Sequence, residues 1–172
     1  MEKKITILML IMLMAGSLMA QHLCFMGTSI DGTVEDFSTA MEAKGFKKVT
    51  KNSMKGYFGG YYCTIALSSS NGIANKKEDI IANVKVRFNE YQAVSPDIFH
   101  NLSKWLTVKY GQYQEYPDMY VKEEYGYRVS MSRVWITDNG TIVLNYGTEV
   151  QLTYIDRVRA INGNSSDILN DL

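Results

Sequence analysis

A nucleophile beside a base is the first chemistry to look for, and the chain has few residues to build one. Its histidines are His22 and His100, and its cysteines are Cys24 and Cys63. A Cys–His pair drawn from Cys24 or Cys63 could support nucleophilic catalysis, with imidazole activating the thiol. No hydrolase signature surrounds either cysteine, so a histidine at the surface or beside the N-terminus is the plainer reading. Two histidines and two cysteines without paired spacing offer no zinc site. Asp31-Gly32-Thr33 could carry a nucleophile or a calcium loop, yet a turn feeding a helix cap explains all three residue types. Asp118, Glu123 and Glu124 could share a divalent ion or act as a glycosidase carboxylate pair. They lack the alternating oxygen spacing of a calcium loop, and solvated charges account for them. Gly56-Tyr57-Phe58-Gly59-Gly60 is glycine-rich, but no Lys-Ser/Thr follows, as a phosphate cradle requires. No catalytic residue, metal or cofactor is expected from these patterns.

Binding chemistry is better represented. Tyr110, Tyr113, Tyr116, Tyr120, Tyr125 and Tyr127 are half of the 12 tyrosines. Tyrosine combines a large rigid contact area with a polar tip, which suits interfaces. Glu115, Asp118, Glu123 and Glu124 interleave with them and would select a basic or polar partner. Neither a 3.6-residue stripe nor alternation runs through Tyr113–Glu124, and Pro117 interrupts any helix or ladder. The stretch 112–126 therefore reads as a loop, with Tyr113, Tyr116, Tyr120 and Tyr125 as binding residues for a protein or a polar small-molecule or glycan partner. The competing reading is that the rings cover an edge or face of a sheet.

The elements that must hold these residues follow from period and punctuation. His22–Met26 is a short apolar candidate strand, and 27–32 is a loop. Thr33 is an N-cap with Asp36 in the capping-box position. Val34, Phe37 and Met41 then form one helical face, and Gly45 ends the helix. Residues 56–60 read as a flexible strand entry, 61–67 as a strand and 68–77 as a polar loop. Ile80–Tyr91 alternates cleanly, with Val84, Val86 and Phe88 on one side and Lys85, Arg87 and Asn89 on the other. Ser95-Pro96 opens a second helix with Pro at N1. Ile98, Phe99, Leu102, Trp105 and Leu106 make its stripe, and Gly111 closes it. Val129–Thr137 and Thr141–Tyr146 flank Asp138-Asn139-Gly140, a strong hairpin signal, and Val150–Asp156 follows. The expectation is an α+β domain over 21–161, with an antiparallel sheet of about five or six strands and two main helices on one face. A polar tail over 162–172 completes the chain. The order hints at two helix-then-strands units, although no residue-level repeat is visible.

The N-terminus bears on compartment. Lys3 and Lys4 precede the unbroken apolar run Ile5–Met14, and Ala15-Gly16-Ser17 and Met19-Ala20 supply small residues. This is the order of a signal peptide over 1–20, with cleavage after Ala20 leaving Gln21 first, or alternatively after Ser17. The run is short for a permanent span, and Gln21-His22-Leu23 is a poor lipidation site ahead of Cys24. Removing 1–20 leaves 16 basic and 17 acidic residues, a net charge of −1. That balance argues against a nucleic-acid footprint and against a polybasic membrane binder. A periplasmic or secreted setting permits one disulfide, Cys24 with Cys63; the alternative is two unpaired thiols.

His22-Leu23-Cys24-Phe25-Met26-Gly27, Ile30-Asp31-Gly32-Thr33, Phe37 and Lys44-Gly45-Phe46 together resemble the start of a group of small secreted or envelope proteins of Bacteroides-type bacteria. That group carries H-L-x-F-x-G, I-D-G-T, F and K-G-F in this order. Cys24 departs from it, standing where the pattern has a polar residue. The resemblance implies an envelope or secreted setting and no particular activity. The helix-then-antiparallel-strands order is also similar to that of β-lactamase-inhibitor-like modules and small outer-membrane assembly lipoproteins, a likeness of fold that does not fix function. The expected role is a non-enzymatic binding or inhibitor-like module. The alternatives are a small extracytoplasmic hydrolase and a structural or assembly component of the outer envelope.

Overall fold

The computed structural model describes residues 22–70, 72–89, 95–123 and 126–158, with side chains over 117–130 excepted. The expected polar tail over 162–172 and the leader over 1–20 lie outside these residues. Among the described residues there are two helices and eleven strands. The chain opens with a ribbon of β1 (Cys24–Phe25) and β2 (Thr28–Ser29), turned through Gly27 at φ 77°. Helix α1 (Val34–Glu42) follows. Thr33 caps it as its spacing predicts: Oγ1 accepts from the Asp36 N–H at 3.1 Å and donates to the Asp36 carboxylate at 2.7 Å. Val34, Phe37 and Met41 are buried.

Four strands continue the main sheet: β3 (Lys47–Thr50), β4 (Ser53–Phe58), β5 (Tyr61–Ser69) and β7 (Asn83–Phe88), with β6 (Gly72–Ile73) as a short addition on β5. Helix α2 (Pro96–Tyr110) has Pro at its start and ends at Gly111, whose φ of 85° favours glycine. Four more strands follow: β8 (Gln114–Glu123), β9 (Gly126–Thr137), β10 (Gly140–Tyr146) and β11 (Val150–Asp156).

All pairings are antiparallel, and the order is β3-β4-β5-β7-β11-β10-β9-β8. The α+β antiparallel class is as expected, but the sheet has nine strands rather than five or six. The additional strands come from stretches whose composition hides them. β3 is exposed along its length, so it has no apolar side to alternate. β4 carries Gly56 where an apolar residue would mark the buried face; a Cβ there would come within 2.6 Å of the Phe46 ring. Gly59-Gly60 is the turn of the β4–β5 hairpin rather than a strand entry. β6 and β8 both lie in segments that read as loops.

The order is the same from either end. Each half is a helix followed by a four-strand meander, and the final strands β7 and β11 meet at a central seam. The seam register centres on Lys85 opposite Thr153. Counted outward from it, the buried row Val86–Ile65–Met54 in one half matches Tyr154–Ile142–Trp135 in the other. The two units hinted at by element order are therefore present in space.

Strand alternation sorts the side chains onto two faces. One face carries Met54, Cys63, Ile65, Leu67, Val84, Val86, Phe88, Trp135, Ile142, Leu144, Val150, Leu152 and Tyr154, all buried. The helices and the β1–β2 ribbon pack there. Phe25 touches Phe37, Phe58 and Tyr154, and Phe99 of α2 lies against Tyr146. Trp105 is the exception in its stripe, 45 % exposed, because it lies over the Gly59 turn and the Tyr61 ring at the rim. The helices and the ribbon leave the other face of the sheet uncovered, although Val143 at its middle is buried.

Candidate functional site

Two regions bring together groups that could do chemistry. The first lies where the chain enters the fold. Asp156, at the end of β11, has no exposed surface. Its carboxylate accepts the Leu23 N–H at 2.8 Å and lies 3.1 Å from His22 Nδ1. His22 Nε2 faces the Asp31 carboxylate at 3.6 Å. The imidazole thus sits between two carboxylates, one from the following loop and one from the last strand. A cavity of about 390 Å³ opens beside it, lined by His22, Cys24, Lys109, Tyr110 and Asn139 among others.

This constellation falls short of a cysteine hydrolase on geometry. The Cys24 thiol donates to the His22 carbonyl at 3.7 Å, not to the ring, and both ring nitrogens face carboxylates. A base must reach the proton it takes, and here neither nitrogen faces the thiol. The motif residues of this segment have folding roles instead. Leu23, Phe25, Ile30, Phe37 and Phe46 are core residues, Gly27 and Gly45 take positive φ, Thr33 caps α1, and His22 with Asp31 closes the ribbon onto Asp156. Among the described residues no group of three or more His, Cys, Asp or Glu is placed to hold a metal ion.

The cysteines are both free. Cys63 is buried between Gly56 and Phe88 on neighbouring strands. Burial pushes its thiol up to about 12, against a smaller opposing effect of a hydrogen bond with the Phe58 backbone. Cys24 is half-buried. Native protein treated with a thiol reagent at neutral pH should therefore label at Cys24 and leave Cys63 unmodified until urea unfolds the chain, since the thiolate is the reacting form. A native protein with neither thiol reactive and a mass lower by two hydrogen atoms would instead establish the bridge.

The second region is the open face. The tyrosine run is not a loop but the edge hairpin β8–β9. Pro117 is accommodated because β8 is the outermost strand and the register shifts between Pro117 and Tyr120, as at a bulge. The bulge breaks the alternation that would mark a strand. The four tyrosines expected to bind are split by this geometry. Tyr113 turns to the helix side, edge-on to Trp135 at 5.3 Å and under the Arg133 guanidinium at 4.7 Å. Tyr116 is 50 % exposed on the open face, its hydroxyl donating to Gln114 Oε1 at 2.7 Å. Tyr120 lies in β8 opposite Val129, with its side chain outside the described set, and Tyr125 lies outside the described residues altogether. Tyr116→Ala should change stability by less than about 1 kcal/mol, as for a surface position; a urea midpoint shift several times larger would place its ring in the core.

The sequence reading did not pick out Tyr57 and Tyr62. They pair across the β4–β5 hairpin, edge-on at 5.2 Å, and are 64 % and 38 % exposed. Strict alternation of Ser53, Lys55 and Tyr57 against Met54, Gly56 and Phe58 was the available signal, weakened by the glycine. Ile136 is exposed on the same face. No protein-family model, curated protein or solved structure matches the chain.

Proposed function

We propose that this chain is an exported, non-enzymatic binding module whose partner docks on the open face of the sheet. The observation that carries the reading is the one-sided layering. Both helices and the N-terminal ribbon crowd one face of the eight-strand path, and neither helix nor ribbon covers the other. A sheet needs only one buried face to fold, so the second is available for contact. Tyr57, Tyr62 and Tyr116 stand on it as half-exposed to exposed rings, the residue type enriched in binding surfaces. Export rests on the order of residues 1–20: a basic start, an apolar run of signal-peptide length, then small residues.

The test is a glycan array and an envelope-protein panel probed with the labelled chain beginning at Gln21. Hits are repeated with two separate blocking variants, Thr153→Trp and Gln151→Trp, each checked for folding by circular dichroism. Both positions are half-buried at the middle of the open face. Hits abolished by either folded variant support the reading. Hits indifferent to both overturn it. A hit that is chemically turned over, and loses turnover on Tyr110→Phe, favours the hydrolase alternative and its cavity beside His22.

A further inference from the structure

The open face has a direction. Directly opposed residues on successive strands form a line crossing the sheet: Lys47, Lys55, Thr64, Arg87, Gln151, Asn145, Ser132 and Tyr116. At the spacing of neighbouring strands these eight span about 34 Å. Every one can donate a hydrogen bond through an ammonium, guanidinium, amide or hydroxyl group. Three of the first four are cations, Lys85 adds a fourth on the adjoining row, and the line finishes on the exposed Tyr116 ring.

The charges are uncompensated. Among the residues whose side chains are described, no open-face strand position carries Asp or Glu, and none of Lys47, Lys55, Lys85 and Arg87 has an ion-pair partner. Lys47 lies directly opposite Lys55, a like-charge juxtaposition that destabilises a sheet. Glu149, in the turn before β11, bonds to the Gln151 amide instead. A positive row kept without counter-charge is the complement of a negative ligand.

The middle of the line distinguishes the kind of ligand. Arg87 meets Gln151 at the seam, Asn145 and Ser132 continue the line with amide and hydroxyl groups, and Tyr116 closes it at one end. A row of hydroxyl- and amide-bearing side chains continuing from a row of cations suits a linear ligand with its own hydroxyls and acid groups.

Resting on the binding-module reading above, we propose that an acidic polysaccharide lies across the strands along this line, its acid groups on Lys47, Lys55, Arg87 and Lys85 and its hydroxyls on the central polar residues. A sugar-ring face stacks on Tyr116 at the end of the line.

Titration of the chain beginning at Gln21 with polygalacturonate and with hyaluronan tests this. Dextran serves as the neutral glycan, and poly-L-glutamate as a carboxylate polymer without hydroxyls. At least one acidic glycan should bind, weaken as salt rises, and bind about tenfold or more better than dextran and poly-L-glutamate. The double variant Lys55→Glu/Arg87→Glu should lose about tenfold or more in affinity, equivalent to about 1.4 kcal/mol. Lys44→Glu/Lys104→Glu, on the helix side, should leave binding unchanged. Failure of both acidic glycans, equal binding of poly-L-glutamate, or equal losses in the two double variants overturns the proposal. If the acidic glycans fail while array hits are still lost in Thr153→Trp, the open face remains a binding surface for a different ligand. If the hits ignore Thr153→Trp and Gln151→Trp, the underlying reading fails.

Discussion

Asp156→Ala should lower the folding free energy by about 3–5 kcal/mol, the range for removing one partner of a buried charged contact. The carboxylate has no exposed surface and joins elements from opposite ends of the chain, accepting the Leu23 N–H and facing His22 Nδ1. Its own N–H bonds the Ala82 carbonyl at 2.9 Å beside the seam. Truncation strands the Leu23 amide in the interior, and a buried donor without an acceptor costs about 1–3 kcal/mol by itself. The imidazole loses its inner contact as well, and the vacated volume adds to the loss. Urea unfolding monitored by circular dichroism reads the total. Hydrogen exchange locates it: the Ile30 amide, bonded to the Leu23 carbonyl at 2.8 Å, should lose protection first as the β1–β2 ribbon lifts off. An unchanged urea midpoint with Ile30 still protected would show that the ribbon is held by its apolar residues alone.

Trp135→Ala should cost a similar amount, about 3–5 kcal/mol, as for other large buried aromatics. Its indole is fully buried beneath α2, touches the Tyr113 ring, and donates from Nε1 to the Gly111 carbonyl at 3.1 Å. That bond serves the C-terminal end of α2, where carbonyls lack helical partners. Trp135→Phe separates the two contributions: most of the apolar area survives while the Gly111 carbonyl loses its donor, so the loss should be smaller but measurable. Fluorescence gives an independent check, because the protein has two tryptophans. With Trp135 removed, the remaining emission comes from the 45 % exposed Trp105 and should shift to longer wavelength. A Trp135→Ala protein that melts with the parent would place the indole outside the cooperative core.

These two residues illustrate what the sequence makes legible. Trp135 lies in an alternating strand ended by Asp-Asn-Gly, and that hairpin forms where the pattern places it. Both long helices, their caps and the β7 alternation are equally readable, since period and punctuation are local properties. Asp156 is different. It closes a strand of alternating residues and looks like an ordinary solvated terminus; only the return of β11 beside β7, 133 residues from Leu23, buries it. The exposed tyrosines were legible in kind but not in place. Tyrosine density drew attention to 110–127, yet rings close in sequence alternate between faces in a strand. Tyr116 reaches the open face with Tyr57 and Tyr62, from residues far away in the chain, while Tyr113 joins the packed side. Pro117 and Gly56 concealed β8 and β4 for the same reason, because each replaces the side chain that would have marked the buried face.

The strand order that reads alike from both ends has a consequence for how such a molecule can be assembled. A half ending at β7 would expose that strand as a long apolar-sided edge, a form prone to edge-to-edge association. Two copies of one half, related by a two-fold axis through the seam, would satisfy each other, since a two-fold pairs a strand with its copy in antiparallel fashion. The chain therefore has the topology of a symmetric dimer drawn into one polypeptide. Joining the halves removes the concentration dependence that a true dimer carries. It also frees the two sides to diverge, so that Lys55 and Arg87 can gather charge on one side of the seam while Val134 and Ile136 occupy the same face on the other.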